Sequence, residues 1–171
     1  IVMASTQLMV EKLLTEYKTN IMSTKALIRF AERESGVSFN EHPEKVTHQI
    51  YHHWDGMPDF LGVALAEFIS DESKAMYNNP NRHYNGVDDL AAQVLTYLKL
   101  GIHYGKPCRN HIDAYNVYLE TPYSGPVNYD YTYYIWTKDE TNEVWLSVFD
   151  YDNECIFVGQ PSNLIDKYKD K

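Results

Sequence analysis

The spacing of apolar residues predicts several helices. Behind Pro58, apolar positions recur at helical spacing, which predicts an amphipathic helix over residues 58–70. Asn85 is the predicted cap of a second helix, which ends near Gly101. A first helix over residues 5–19 and a short last one over residues 164–168 are also expected. The second helix has the clearest periodicity, carried by Val87, Leu90, Ala91, Val94, Leu95 and Leu98.

Alternation of apolar and polar residues predicts strands on both sides of these helices. Two strands are expected before the first long helix, over residues 25–32 and 45–54. Short turns in the C-terminal third indicate an antiparallel meander. The chain is therefore predicted to be α+β, with a mostly antiparallel sheet of about five to six strands, two main helices on one face, and N- and C-terminal helices. The strands expected in the C-terminal part cover residues 116–120, 129–138, 143–149 and 154–158.

The length of the chain predicts one α+β domain over residues 22–171. The chain opens with Ile1, and Met3 and Met22 are two candidate starts, of which the second leaves residues 1–21 upstream. Residues 1–21 are accordingly expected to be a helix-like N-terminal extension that need not belong to the native protein.

Charge and cysteine content narrow the function classes. Lys and Arg number 15 against 24 Asp and Glu, which gives a net charge of −9 and argues against a protein that grips duplex nucleic acid. No run of apolar residues is long enough to predict a membrane span. The two cysteines, Cys108 and Cys155, are too few for a disulfide scaffold and fit a reducing compartment, so a cytoplasmic location is expected.

The most unusual segment is the histidine-rich strand end, turn and helix start between residues 48 and 58. Strand ends that lead into helix N-termini often bind ligands, because free N–H groups point there. Asp55 lies two residues after His53, and its carboxylate is expected to accept a hydrogen bond from the His53 imidazole. Packing residues followed by a simple turn are the alternative reading. The candidate ligand residues here are Tyr51, His53, Trp54, Asp55 and Gly56, together with Asn85.

Two chemical hypotheses use this turn. One is a pocket for a small nucleotide, completed by the loops at residues 78–86 and 102–113. The other is a metal-assisted hydrolase, in which His53 and Asp55 act with loop histidines. No zinc-type spacing, nucleophile elbow or phosphate-binding glycine loop occurs, so no catalytic residue, metal or cofactor is predicted. The loop histidines in question are His83, His103 and His111.

Tyrosine is abundant, with 15 residues in the chain, and eight of them lie between Tyr115 and Tyr151. Alternation on the predicted 129–138 strand places Tyr129, Tyr131 and Tyr133 on one face. Tyr134 and Trp136 belong to the other face. One row is expected to pack on the helices and the other to form an exposed aromatic platform for a partner. Cross-strand pairing of the rings within the sheet is the alternative.

Several segments resemble a family of small, mostly uncharacterised proteins of bacteriophages and bacteria. They are QIYHHWDGMPDFLGVALAEFI, NGVDDLAAQVLTYLK, YNVYLE and the aromatic strands that follow, within residues 23–160. No catalytic motif travels with this resemblance. It implies a phage accessory protein of the host cytoplasm, of the kind that inhibits a host enzyme or an antiviral defence.

These observations favour a non-enzymatic protein that binds a host protein through its acidic surface and an aromatic sheet face that includes Tyr131, Tyr133, Tyr134 and Trp136. A small-nucleotide binder and a metal-assisted hydrolase are the alternatives. Neither duplex nucleic acid nor a membrane is an expected partner. A homo-oligomer is a further expectation, since exposed aromatic strands often pack against a second copy of the same chain.

Overall fold

The computed structural model describes residues 24–32, 38–70, 86–100, 117–123, 125, 127–137 and 143–169. Several predictions lie outside these residues: the helix over residues 5–19, the extension over residues 1–21, the Asn85 cap, most of the two loops proposed to complete a nucleotide pocket, and the loop histidines.

Six strands form one sheet in the order β3-β2-β1-β4-β5-β6. Neighbouring strands run antiparallel except at the centre, where β1 and β4 are parallel. The predicted α+β class, with a mostly antiparallel sheet, is confirmed. The strands are β1 (Ala26–Glu32), β2 (His48–His52), β3 (Val117–Glu120), β4 (Tyr131–Thr137), β5 (Val144–Asp150) and β6 (Cys155–Gly159).

The helices follow the predicted segments closely. A single π-helical turn over Pro58–Gly62 leads into α1 (Val63–Ser70), and α2 covers Val87–Leu100. The last helix, α3 (Pro161–Tyr168), begins three residues before its predicted start, because Pro161 itself occupies the first helical turn. No helix in the described part of the chain has both the length and the apolar character to cross a membrane.

The main core lies between the helices and one face of the sheet, here called the helix face. Alternate residues of β1, namely Ala26, Ile28 and Phe30, are fully buried there. They pack with apolar residues of the helices such as Leu65 and Val94. This is the period-two pattern expected when one side of a strand packs on helices.

The opposite side of the sheet, here called the reverse face, is also largely covered. Residues 38–46 lie over the β4–β5 side of it. Phe39 stacks on Trp145 with 4.7 Å between ring centroids, and the His42 ring stacks on Phe149 at 4.3 Å. The expectation of a free reverse face is therefore wrong for this side, because a chain segment outside the regular elements closes over it.

The turn between β2 and the π-helical turn is tied to the sheet by its backbone. Gly56 donates its N–H to the Thr24 carbonyl at 3.0 Å, and its own carbonyl accepts from the buried Tyr133 hydroxyl at 2.7 Å. A Cβ at this glycine would lie 2.8 Å from both Ala26 Cβ and the Thr24 carbonyl oxygen. Asp55 has a φ of 52°, in the left-handed region. The turn thus needs glycine for close approach, which is a structural role.

Candidate functional site

The predicted ligand turn does not assemble the expected His–Asp pair. The His53 Nδ1 atom contacts the Tyr51 hydroxyl, and the edge of the His53 ring faces Trp54 at 4.6 Å. No hydrogen bond or ion pair within the described residues joins His53 to Asp55, whose side chain is exposed. The described residues also contain no group of three side chains suited to hold a metal ion. The turn therefore places the partly buried His53 between Trp54 and the buried Tyr51.

The predicted division of rings between two faces is confirmed for Tyr131 and Tyr133 against Tyr134 and Trp136. It is wrong for Tyr129, which precedes β4 and packs on the reverse face beside Tyr51, and the expected exposed platform is also wrong. Tyr133 is buried in the helix-face core, and Tyr131 is partly buried beside it. Tyr134 and Trp136 are buried on the reverse face, where Phe39 contacts Trp136 and His42 contacts Tyr134. Because residues 38–46 cover this row, the β4 rings act as packing residues.

Exposed aromatic residues remain at the other end of the reverse face, beside edge strand β3. We call Tyr51, Tyr118, Tyr123 and Tyr129 the tyrosine cluster. The Tyr51 ring lies 4.8 Å from that of Tyr118 and 5.7 Å from that of Tyr129. Tyr118 and Tyr123 are 45% and 47% exposed, so they leave a ring surface open at the sheet corner. Leu119 is 57% exposed on the opposite side of the same strand.

A fully buried arginine holds this cluster in place. Arg29 Nε donates to Gln49 Oε1 at 2.8 Å, and Nη1 donates to the Gly125 carbonyl at 2.6 Å and to the Tyr134 hydroxyl at 2.8 Å. Its Nη2 donates to the Tyr123 carbonyl at 2.8 Å. The guanidinium also lies 4.6 Å from the centre of the Tyr123 ring. Four hydrogen bonds to neutral acceptors thus compensate the buried charge and fix the position of Tyr123.

Carboxylates border the tyrosine cluster. Gln49 Nε2 donates to Glu120 Oε2 at 2.9 Å, which places this carboxylate at the end of the arginine network. Burial, the neighbouring tyrosines, and the charges of Glu120 and Asp130 raise the pKa of Tyr51 to about 12. The pKa of Tyr129 is raised by burial and then by Glu120. Burial is the largest cause of both shifts and opposes any charge, and Arg29 acts in the opposite direction on Tyr129. Only the contribution of the carboxylates Glu120 and Asp130 favours a cation beside the exposed rings.

A second polar group lies on the covered side of the reverse face. His42 Nδ1 is 2.8 Å from the Tyr134 hydroxyl, which also accepts from Arg29. Burial and then the charge of Arg29 lower the pKa of His42, so the imidazole is held neutral. Its Nε2 atom is buried and has no hydrogen-bond partner in the described part of the chain. The His42 ring serves as a neutral stacking group on Phe149.

Sequence reasoning missed most of the residues that build this corner. A signal existed for Arg29, since a charged residue in the middle of the apolar stretch ALIRFA must find buried partners. Tyr118, Tyr123 and Glu120 gave no comparable signal, because short edge strands and the segments after them carry little pattern. Of the predicted site residues, the structure brings Tyr51, His53 and Trp54 together here.

Comparison of the chain with protein-family models, curated proteins and solved structures found no match.

Proposed function

We propose that this protein is a binding protein, and that its tyrosine cluster and the neighbouring carboxylates engage a basic segment of another protein. The observation that carries the proposal is the combination of exposed rings and negative charge at one corner. Tyr118 and Tyr123 are exposed, and the charges of Glu120 and Asp130 act on the rings beneath them. Tyrosine is among the residues that dominate the binding energy of protein interfaces.

The charge of the whole chain supports a basic partner. At −9, the protein attracts cationic surfaces over about 8–10 Å at physiological salt, which speeds encounter. Lysine and arginine side chains bind over tyrosine rings with about 0.5–1 kcal/mol each at exposed sites. The resemblance to phage accessory proteins makes a host protein the expected partner within this proposal.

Arg29 supports the proposal by its rigidity. Because its Nη2 group holds the Tyr123 carbonyl and its plane lies against the Tyr123 ring, this tyrosine is ordered before any partner arrives. Prior ordering lowers the entropy cost of binding. The corner is thus prepared as a rigid aromatic surface.

The experiment compares two labelled peptides of about ten residues by fluorescence anisotropy. One alternates lysine and threonine, and the other alternates glutamate and threonine. We expect the lysine peptide to bind and the glutamate peptide not to bind, and added salt to weaken the binding. Equal binding of the two peptides would contradict the proposal.

Substitution locates the site. Tyr118→Ala is expected to weaken binding of the lysine peptide about five-fold, which corresponds to about 1 kcal/mol. Tyr151→Ala is the matched control, since Tyr151 is 57% exposed but lies in the turn between β5 and β6. An equal loss in both variants would assign the binding to general surface charge, and no loss at Tyr118 would remove the cluster from the site.

A further inference from the structure

The segment that covers the reverse face is held to it by aromatic rings. We call residues 38–46 the strap; they cross the β4–β5 side of the sheet without forming a helix or a strand. Phe39 of the strap stacks on Trp145, and the His42 ring stacks on Phe149. Two rings of the strap thus lie flat on two rings of the sheet, and one of the two is ionisable.

The hydrogen bond between the strap and β4 requires an uncharged His42. The Tyr134 oxygen accepts from Arg29 Nη1 at 2.8 Å, so the hydroxyl proton needs an acceptor of its own. Within the described residues the acceptor in reach is His42 Nδ1, at 2.8 Å. In the charged imidazolium both ring nitrogens carry a proton and neither accepts. Protonation of His42 thus sets two donors against the Tyr134 oxygen and leaves the hydroxyl proton without an acceptor.

The surroundings of the imidazole also oppose a positive charge. Its Nε2 atom is buried and has no hydrogen-bond partner in the described part of the chain. A charged N–H that is buried without an acceptor is destabilising. Burial and then the charge of Arg29 lower the pKa of His42. The closed strap therefore excludes the imidazolium form of His42, whereas an open strap lets water solvate it.

The other ionisable groups around His42 do not offset its charge. On β4, burial raises the pKa of Tyr134, so the phenol stays neutral. On β6, Cys155 packs on the same cluster of rings, and burial raises the pKa of its thiol. No carboxylate contributes to the lowered pKa of His42. Between about pH 7.5 and 5.5, His42 is therefore the group of this cluster whose charge changes. The charged residues of the strap are Glu41, Glu44 and Lys45, all of which are exposed.

We propose that the strap is an acid-sensitive cover, and that protonation of His42 releases it from the sheet and exposes the aromatic row beneath it. The covered row then becomes continuous with the tyrosine cluster, because Arg29 bonds to a residue of each, Tyr134 and Tyr123. The proposal concerns a change of conformation and does not depend on the function proposed above. The residues that release exposes are Tyr134, Trp136 and Phe149.

Proton linkage gives the direction and the size of the effect. In the open strap His42 has its ordinary pKa of 6.5, and in the closed strap its pKa is lower. The open form therefore gains the proton first as the pH falls. The equilibrium constant for opening rises by up to about ten-fold per pH unit below about pH 6.5, and it levels off below the pKa of the closed form.

A cysteine under the strap measures this opening even when the open form is rare. Ala31 is fully buried in the cluster on which Phe39 packs. The Ala31→Cys protein, with Cys108→Ser and Cys155→Ser, is labelled with a dithiodipyridine reagent, and its rate is divided by that of the same protein carrying His42→Phe. This ratio cancels the pH dependence of the thiol. We expect it to rise by about three- to ten-fold between about pH 7.5 and 5.5. A constant ratio would overturn the proposal.

Two controls separate release of the strap from other events. Ala66→Cys lies in the helix-face core, where Ala66 is also fully buried. At about pH 5.5 it should be labelled at least about ten-fold more slowly than Ala31→Cys, because it reacts only when the whole protein unfolds. Equal rates would assign the exposure to global unfolding and overturn the proposal. His48→Phe removes a histidine from the helix face and should leave the acid-dependent rise at Ala31→Cys intact; loss of the rise would place the titrating group outside the strap.

A variant of the strap itself gives a measurement that does not require His42→Phe to fold. Phe39→Ala removes the ring that stacks on Trp145 but keeps His42. It should speed the labelling of Ala31→Cys by about ten-fold at about pH 7.5 and retain the acid-dependent rise. An unchanged rate would show that the strap does not protect this site, and the proposal would then be wrong.

Discussion

The two edge strands of this sheet, β6 and β3, are protected by different features. At β6, the strand is interrupted by a bulge opposite Val148 and Phe149, and the Lys167 ammonium donates to the Ile156 carbonyl at 2.8 Å. Pro161 then begins a helix at once. At β3, the strand is only four residues long, Pro122 follows two residues after its end, and Val117 is buried while Leu119 is 57% exposed. Natural sheets usually protect their edges with lysine, bulges or proline. Short length and a following proline thus limit pairing at β3, whereas a bulge and Lys167 do so at β6.

The reverse face shows the same contrast between its two sides. Beside β4 and β5, Phe39 and His42 lie over the aromatic rings and exclude solvent. Beside β2 and β3, Tyr118 and Tyr123 remain exposed. Arg29 lies between the two sides and bonds to both, through Tyr134 and through Tyr123. Similar aromatic composition therefore serves packing on one side and leaves ring surface exposed on the other.

Replacing Arg29 is expected to have the largest effect on stability, because this residue bonds to both sides of the reverse face. Arg29→Met leaves two buried or partly buried carbonyls, the Gln49 amide oxygen and the Tyr134 hydroxyl without their donor. Unsatisfied polar groups cost about 1–3 kcal/mol each, and partial solvation of the carbonyls offsets some of this. We expect the free energy of unfolding to fall by about 3 kcal/mol or more in urea titrations. A loss below about 1 kcal/mol would show that the network does not hold the two sides together.

The covered side should respond to acid through His42. Because the pKa of folded His42 lies below its ordinary value of 6.5, the unfolded chain binds a proton first as the pH falls. Stability from this group is complete above about pH 6.5 and is lost as the pH falls from there toward the folded pKa.

His42→Phe keeps a ring on Phe149 and removes the titrating group. We expect the variant to lose less stability than the wild type between about pH 7.5 and pH 5, as measured by urea unfolding at both pH values. The effect should be smaller than that of Arg29→Met. Equal pH dependence of the two proteins would exclude His42 as a source of acid sensitivity.

The smallest effect is expected at the closed edge. Lys167→Met removes the cap on the Ile156 carbonyl, but the lysine is exposed, so water replaces the bond. The free energy of unfolding should fall by less than about 1 kcal/mol. The variant should nevertheless associate more readily at high concentration, as seen by light scattering, because the β6 edge then lacks its lysine. Unchanged association, compared with Lys169→Met as the control, would show that the bulge and Pro161 protect this edge without Lys167.

Much of the fold could be predicted from periodicity. The helix at Val87–Leu100 and the strands at Ala26–Glu32 and Val144–Asp150 carry dense apolar patterns, and all three lie within one or two residues of their predicted bounds. The β2 strand is shorter than predicted, because the residues before His48 turn to cover the reverse face. Local patterns record which side chains avoid water, and this is enough to define elements and their buried faces.

The candidate site could be predicted only in part. The histidine-rich, aromatic segment around residues 48–58 predicted a site there. Its residues Tyr51, His53 and Trp54 do lie together. The prediction that Tyr134 and Trp136 form an exposed platform is wrong. An aromatic strand that is buried on both faces has the same sequence pattern as one that leaves a face free. Phe39 lies almost 100 residues before the rings it covers. No local pattern can report such a contact.

The order of residues by itself determined the α+β class, the two main helices and the acidic surface, since each follows from spacing or composition over short stretches. Only the tertiary structure decided which aromatic residues remain exposed and how the β6 edge is capped. Both outcomes depend on contacts between distant segments, such as Arg29 with Tyr123 and Lys167 with Ile156. Burial is a property of the folded arrangement, and the same tyrosine is a core residue or a binding residue according to what lies over it.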